Sequence, residues 1–403
     1  MFCNIFEAQK MTGCIFLFYH FEMEKIILNN PPRLVFGNNS LQQFFADYST
    51  SGHRKLFILT IPALKEKLEL PVSSLKSLGI DFKIYDQITS EPGFSDVEEI
   101  LSIARSFQAD SVVGIGGGSV LDTAKLIAAQ LYNSQSINDV VGIGRLNERK
   151  TWLACLPSTS GTGSEVSPNA IFMDEKDHEK KGIISPYLVP DAAYIDPVLT
   201  VGVPPSVTAA TGIDAFAHCL EAYVNRFSHP VTDHLAMKGM KLIFKNLKKA
   251  FDNGNDLEAR ANIALGSMYG GMCLGPVNTT AVHALAYPLG SKYKIAHGLS
   301  NALILPYVLE FNKPVAVTRY AEIAKELELT VTGSEAEDSA LLIQEIKKLI
   351  YSLQIPQKLS ELGIPGSVLH DLADSAMKVQ RLLKNNVRDV SFEDALDMYK
   401  KAY

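Results

Sequence analysis

The chain has 403 residues, 47% hydrophobic and 20% charged, with a formal net charge of −6, a pI near 5.9 and a mean hydropathy of +0.07. One hydrophobic core seldom organises so many residues, so two domains are expected, and the composition excludes a disordered or coiled-coil protein. No run of about 18 apolar residues points to a membrane span, and no dense Lys/Arg cluster points to nucleic acid or anionic lipid, which leaves a small molecule as partner.

Five cysteines (Cys3, Cys14, Cys155, Cys219 and Cys273) are scattered without a CxxC pair. They make neither a disulfide framework nor a thiolate zinc site and fit a reducing cytoplasm. In chain order, residues 1–22 come first. Their apolar run Cys14–Tyr19 is short, little positive charge precedes it, and the acidic Glu22-Met23-Glu24 follows where a cleavage site would lie. This is a poor signal peptide and is read as an N-terminal extension, of the kind an upstream start codon produces.

From Lys55 onward short β-branched and aromatic runs alternate with amphipathic stretches. Strands are expected at Lys55–Thr60, Ile80–Tyr85, Ser111–Ile115, Trp152–Leu156 and Ala192–Ile195, with helices at Ala63–Leu78 and Asp96–Phe107. Such alternation marks βαβ units and a parallel sheet. Beyond Val203-Pro204-Pro205 the apolar spacing becomes i, i+3, i+4 as far as Tyr403, so the remainder reads as helical. The expected organisation is an α/β domain over 23–203 and an all-helical domain over 204–403, with a cleft between them.

Two loops follow candidate strands. Ser111-Val-Val-Gly-Ile runs into Gly116-Gly117-Gly118-Ser119 and then into a helical stretch through Asp122 and Lys125. Glycines let a backbone approach phosphate, and the N–H groups of the next helix favour an anion. The spacing is not GxGxxG, so the motif by itself also fits a tight strand-to-helix turn. The second loop, Pro157–Glu165, is rich in hydroxyls and backbone donors. Alone it is as readily a solvated surface loop, but two such loops after successive strands point to a ligand at the carboxyl edge of a sheet.

Of nine histidines, His218 stands four residues after Asp214 in Thr211-Gly-Ile-Asp-Ala-Phe-Ala-His218. On a helix that spacing puts carboxylate and imidazole on one face, where a surface hydrogen bond is the commoner outcome. His283 and, fourteen residues later, His297 in a break between helical segments add two imidazoles. One carboxylate with three neutral imidazoles suits iron(II) or zinc(II), with coordination positions left open.

The run Gly116–Lys125, the run Pro157–Glu165, the run Ala209–His218 and the pair His283 and His297 together resemble the iron-containing (group III) alcohol dehydrogenase family over about residues 23–403. The resemblance implies a Rossmann-like N-terminal domain, an all-helical C-terminal domain and an active site in the cleft between them. It implies an oxidoreductase interconverting a small alcohol and its aldehyde or ketone with NAD or NADP, and a homodimer or larger homo-oligomer. It makes Asp214, His218, His283 and His297 the metal ligands. It sets the cofactor pyrophosphate over Gly117, Gly118 and Ser119, with Asp122 beneath. Ser158, Thr159, Thr162 and Ser167 would line the adenine and nicotinamide side, and Lys180 would reach the ribose.

Two positions depart from the family pattern. Where many relatives carry an Asp that binds the adenosine ribose, this chain reads Thr60-Ile61-Pro62, so NAD and NADP both stay open. Where many carry a second histidine, four residues after His283, this chain has Tyr287; its hydroxyl either relays a proton or shapes the pocket wall. Within the same family a hydroxyacid–oxoacid transhydrogenase is the alternative activity. A dehydroquinate synthase-like lyase would need several phosphate-binding basic residues that the C-terminal half does not evidently offer.

Overall fold

The structure is a computed structural model that describes residues 24–403 except 90, 177 and 178; the extension expected over 1–22 lies outside the described residues. In chain order come β1 (Arg33–Phe36), α1 (Ser40–Ser49), β2 (Lys55–Thr60), α2 (Pro62–Ser77), β3 (Asp81–Tyr85), α3 (Phe94–Phe107), β4 (Ser111–Gly116) and α4 (Gly118–Gln130). They are followed by β5 (Gly142–Ile143), β6 (Trp152–Pro157), β7 (Asn169–Asp174), β8 (Glu179–Ile184) and β9 (Ala192–Ile195). Six strands form one sheet in the order β1-β9-β6-β4-β2-β3, and every ladder in it is parallel.

The apolar runs of β2 and β4 are buried almost throughout, as strands covered on both faces must be. One face packs against α3 and α4 through Val97, Ile100, Val120 and Ile127. The other packs against α1 and α2 through Phe44, Tyr48, Leu68 and Leu75. The register sets Thr60 beside Ile115 and Gly116 beside Pro157. Ile61, Gly117 and Ser158 therefore leave the sheet side by side at its carboxyl edge.

The strands expected from the sequence are present with bounds shifted by at most a residue or so. Four strands were not foreseen: β1, β5, β7 and β8. The last three make a second sheet in the order β5-β8-β7, with β7 and β8 antiparallel. β8 opens on Glu179-Lys180-Lys181, so its charge masks the strand period. β5 has only two residues. Helix α3 starts two residues before the expected Asp96 because the Asp96 carboxylate accepts the Gly93 N–H at 2.9 Å and caps the first turn.

Among the described residues no strand follows Ile195, apart from an isolated bridge between Asn225 and Asn386. The rest is built from α5 (Pro205–Tyr223), α6 (Pro230–Asp252), α7 (Leu257–Leu274), α8 (Ala281–Tyr293), α9 (His297–Glu326), α10 (Glu335–Ser352), α11 (Leu369–Met377), α12 (Gln380–Leu383) and α13 (Phe392–Ala402). Their shared core includes Phe216, Ile243, Leu285, Ile304, Ile346 and Tyr399. No described helix is long and apolar enough to cross a membrane.

The loop after β6 ties the sheet to the helices. Gly163 has φ +61°, and a Cβ there would lie 2.3 Å from the Gly271 Cα of α7. Both the left-handed backbone and the contact require glycine.

Candidate active site

The glycine loop and the hydroxyl-rich loop face each other across a cavity of about 930 Å³. Gly117 caps α4 and no side chain satisfies the first N–H groups of that helix. A Cβ on Gly117 would meet only the Thr159 side chain, at 3.4 Å, so bare backbone fronts the space between the loops. Exposed amides, a helix N-terminus and that open approach fit a pyrophosphate.

Gly117, Gly118, Ser119, Asp122, Ser158, Thr159, Thr162, Ser167 and Lys180 all line the cavity. Gly116 is not part of the lining; a Cβ there would lie 2.6 Å from Val120 Cγ2, so its smallness lets the helix pack on the strand. Asp122 accepts the Ser164 hydroxyl and the Ile171 N–H and so locks the two loops together. Beneath them Lys125 is fully buried and donates from Nζ to the carbonyls of Ser167 at 2.8 Å and Asn169 at 2.9 Å. Lys180 lies 2.7 Å from a Glu91 carboxylate oxygen, so its charge is already partnered.

At the other end of the cavity, Asp214 Oδ1 is the point of convergence. It lies 3.8 Å from His218 Nε2, 3.4 Å from His283 Nε2 and 3.6 Å from His297 Nε2. Asp214 and His218 project from one face of α5, His283 comes from the first turn of α8, and His297 opens α9. Ligand atoms of Asp214, His283 and His297 lie within 4.8 Å of one another; His218 stands beside them with its ring stacked on His283 at 4.7 Å.

The tautomers aim lone pairs at the same spot. His218 Nδ1 donates to the Gly161 carbonyl at 3.2 Å, and His283 Nδ1 donates to Glu221, which leaves Nε2 of each ring facing Asp214. Burial opposes charge on these rings. It lowers the His218 pKa, whereas at His283 the Glu221 and Asp214 carboxylates overcome it and raise the pKa to about 10, so in the metal-free site a proton on Nε2 stands in for the cation that this lone pair would otherwise meet. Buried lone pairs converging on a carboxylate call for a cation at their centre. The donor set, with nitrogen and oxygen and no thiolate, fits a divalent iron or zinc.

Two residues of this site were missed in the sequence. Glu221, on α5, is 2% exposed and accepts from Thr280 N and Oγ1, from Val282 N at 2.8 Å and from His283 Nδ1. It holds the first turn of α8 and the ring of His283 in one grip, as carboxylates behind ligand imidazoles do. Asn301, fully buried in α9, donates from Nδ2 to Asp214 Oδ1 at 2.6 Å and approaches His283 Nε2 at 3.1 Å and His297 Nε2 at 3.3 Å. Its Oδ1 and the Nδ1 of His297 are buried without a partner. Each of the two shares a helix face with a ligand candidate, Glu221 three after His218 and Asn301 four after His297, but the partners that give it a role lie on other helices.

Tyr287 lines the cavity one helical turn after His283, its ring 5.9 Å from that of His297. Its hydroxyl accepts a hydrogen bond from Arg381 Nη2 at 3.1 Å. Ile61, at the end of β2, lines the cavity as well.

Residues 31–197 match the family model described as "Iron-containing alcohol dehydrogenase", and residues 208–403 match "Fe-containing alcohol dehydrogenase family, C-terminal". The chain is 36% identical to long-chain-alcohol dehydrogenase 1 of Geobacillus thermodenitrificans over 379 residues, 93% of this chain and 95% of the relative. It is 35% identical to alcohol dehydrogenase 4 of Saccharomyces cerevisiae over 378 residues, 93% of this chain and 97% of the relative. Among solved structures, an alcohol dehydrogenase from Oenococcus oeni superposes with a TM-score of 0.90 at 30% identity, covering 94% of this chain and all of that one. Matches that run from β1 to the last residue, on a fold with this parallel sheet and this helical half, make the chain a member of the iron-containing alcohol dehydrogenase family, oxidoreductases acting on alcohols.

Proposed function

We propose that the protein is a metal-dependent alcohol dehydrogenase, or aldehyde reductase in the reverse direction, linked to NAD or NADP. The observation that carries this reading is the convergence of three imidazole nitrogens on Asp214 Oδ1 in the same cavity as a glycine-lined helix N-terminus. Residues 23–203 serve as the dinucleotide-binding domain and 204–403 as the metal-binding domain. Asp214, His218, His283 and His297 hold a divalent iron or zinc ion. Gly117, Gly118 and Ser119 take the pyrophosphate, while Ser158, Thr159, Thr162 and Ser167 line the remaining cofactor surface. Three buried cysteines, Cys155, Cys219 and Cys273, stay as free thiols, in keeping with a reducing cytoplasm.

When bound, the nicotinamide supplies the hydride and the metal ion polarises the carbonyl that receives it. The chain's own residues do the rest. Glu221 and Gly161 fix the rings of His283 and His218 through their Nδ1 atoms, so the site is formed before substrate arrives. The half-buried and buried side chains of Phe251, Leu274 and Ile355 keep the wall of the cavity apolar and exclude water from the transfer. Tyr287 shapes the wall; its hydroxyl is engaged by Arg381, and solvent completes proton exchange.

Ile61 places an apolar side chain where a ribose-binding carboxylate would repel a 2′-phosphate, so both cofactors are expected to serve. The test is an aldehyde panel assayed with NADH and with NADPH on metal-analysed protein. Reduction with both cofactors supports the reading, and a strong NAD preference would remove the role given to Ile61. Turnover of an alcohol plus an oxo acid without added nicotinamide would favour a transhydrogenase instead.

A further inference from the structure

Arg381 is a cation on the cavity wall with no carboxylate within ion-pair distance among the described residues. It lies in the short helix α12, whose four residues are Gln380–Leu383, and its side chain is half-buried and lines the cavity. Its guanidinium carbon is 5.8 Å from the centre of the Tyr287 ring, which in turn stands 5.9 Å from the His297 ring. On the other side it rests on β8, where a Cβ at Gly182 would approach Nη2 to 3.2 Å. Its backbone is pinned: Asn385 Nδ2 donates to the Arg381 carbonyl at 3.2 Å and to that of Thr279 at 3.0 Å.

The other charges nearby are balanced. Lys180 is paired with Glu91, and Asp214 and Glu221 face the imidazoles. Among the described residues no carboxylate lies within ion-pair distance of Arg381, and one of its five N–H donors is used, on the Tyr287 hydroxyl. A partly buried guanidinium left unpaired is costly, and its planar fork matches an oxyanion in two-point contact.

Resting on the dehydrogenase reading above, we infer that the physiological carbonyl substrate carries an oxyanion at the far end of a short chain, held by Arg381. The carbonyl end lies toward His283 and His297, and the Tyr287 ring lies between the two ends. Asn278, Thr279 and Gln354 also line the cavity and offer polar groups to such a substrate. A carboxylate and a phosphate ester share this chemistry, and separate probes distinguish them.

The experiment compares kcat/KM for succinic semialdehyde against pentanal, and for glyceraldehyde 3-phosphate against glyceraldehyde, in the metal-loaded enzyme and in Arg381→Met and Arg381→Lys. The wild type is expected to favour at least one anionic member by about ten- to a hundredfold, the range of a charge-assisted contact. Arg381→Met should collapse that ratio, chiefly through KM, and Arg381→Lys should restore part of it. Succinate, which has no carbonyl, should inhibit competitively and lose affinity in Arg381→Met. Equal or better use of both neutral aldehydes by the wild type overturns the proposal and leaves the dehydrogenase reading standing. An unchanged ratio in a folded Arg381→Met overturns it too. Reduction of none of the four overturns both.

Discussion

Glu221 is where one side chain does most for the site. It accepts from four donors on α8 and its approach, and one of them is the ring of His283. Glu221→Gln turns an acceptor into a partial donor facing those N–H groups, so the ring loses its fixed tautomer. Metal affinity is expected to fall about 10- to 100-fold, read by titration against a chelating dye; unchanged affinity would mean that the carboxylate only stabilises α8. A second buried acid behaves differently. Burial raises the Glu165 pKa from 4.5 to about 7, so the folded state binds this proton more tightly than the unfolded chain. The stabilising contribution is complete below about pH 4.5 and is lost as pH rises through about 7. Glu165→Gln should therefore raise Tm over the parent progressively from mildly acidic to mildly alkaline pH, with metal and cofactor held constant. A Tm difference that does not change with pH would show the carboxyl to be ionised in both states.

At the scale of elements, glycine contacts dock the hydroxyl-rich loop on the helices. A Cβ at Gly271 would lie 2.5 Å from the Gly163 carbonyl oxygen, a backbone atom that cannot swing aside. Gly271→Ala is expected to cost about 1–3 kcal/mol in stability and to weaken NADH binding, since the same loop carries Ser158, Thr159 and Thr162 along the cavity. Calorimetry and fluorescence titration check the two effects, and stability lost with NADH affinity intact would separate the loop's packing from cofactor binding. These elements also show what a sequence discloses. β2, β4, β6 and β9 are apolar because both faces of the sheet are covered, and apolar runs are readable. β8 begins with three charged residues, Glu179, Lys180 and Lys181, which hide its strand period, so its pairing with β7 was not. The spacing from Asp214 to His218 was legible because helix periodicity is local. Glu221 sits one turn further on the same face, but the ring it orients is 62 residues away. Asn301 is hidden in the same way: it contacts Asp214 and His283 on two other helices as well as His297 on its own.

For the whole molecule, the parallel sheet delivers Ile61, Gly117 and Ser158 to one edge, and α5, α8 and α9 deliver Asp214, His218, His283 and His297 to the facing side of the same cavity. Neither half makes the site alone: Gly161, from the loop after β6, holds the His218 ring that α5 supplies. A cation and a nicotinamide are therefore expected to stabilise one another's binding. Metal-loaded protein should hold NADH more tightly than stripped protein, and by linkage the reverse should hold in equal measure. On the proposed reading, the converging imidazoles and Asp214 hold one divalent ion without which no carbonyl is reduced. The most direct measurement is anaerobic titration of iron(II) or zinc(II) into stripped enzyme, following metal stoichiometry and NAD(P)H-dependent aldehyde reduction together. Activity is expected to rise to an end point of one ion per chain, and Asp214→Ala and His283→Ala to bind no ion and stay inactive; full reduction by the stripped enzyme would overturn the metal-dependent reading.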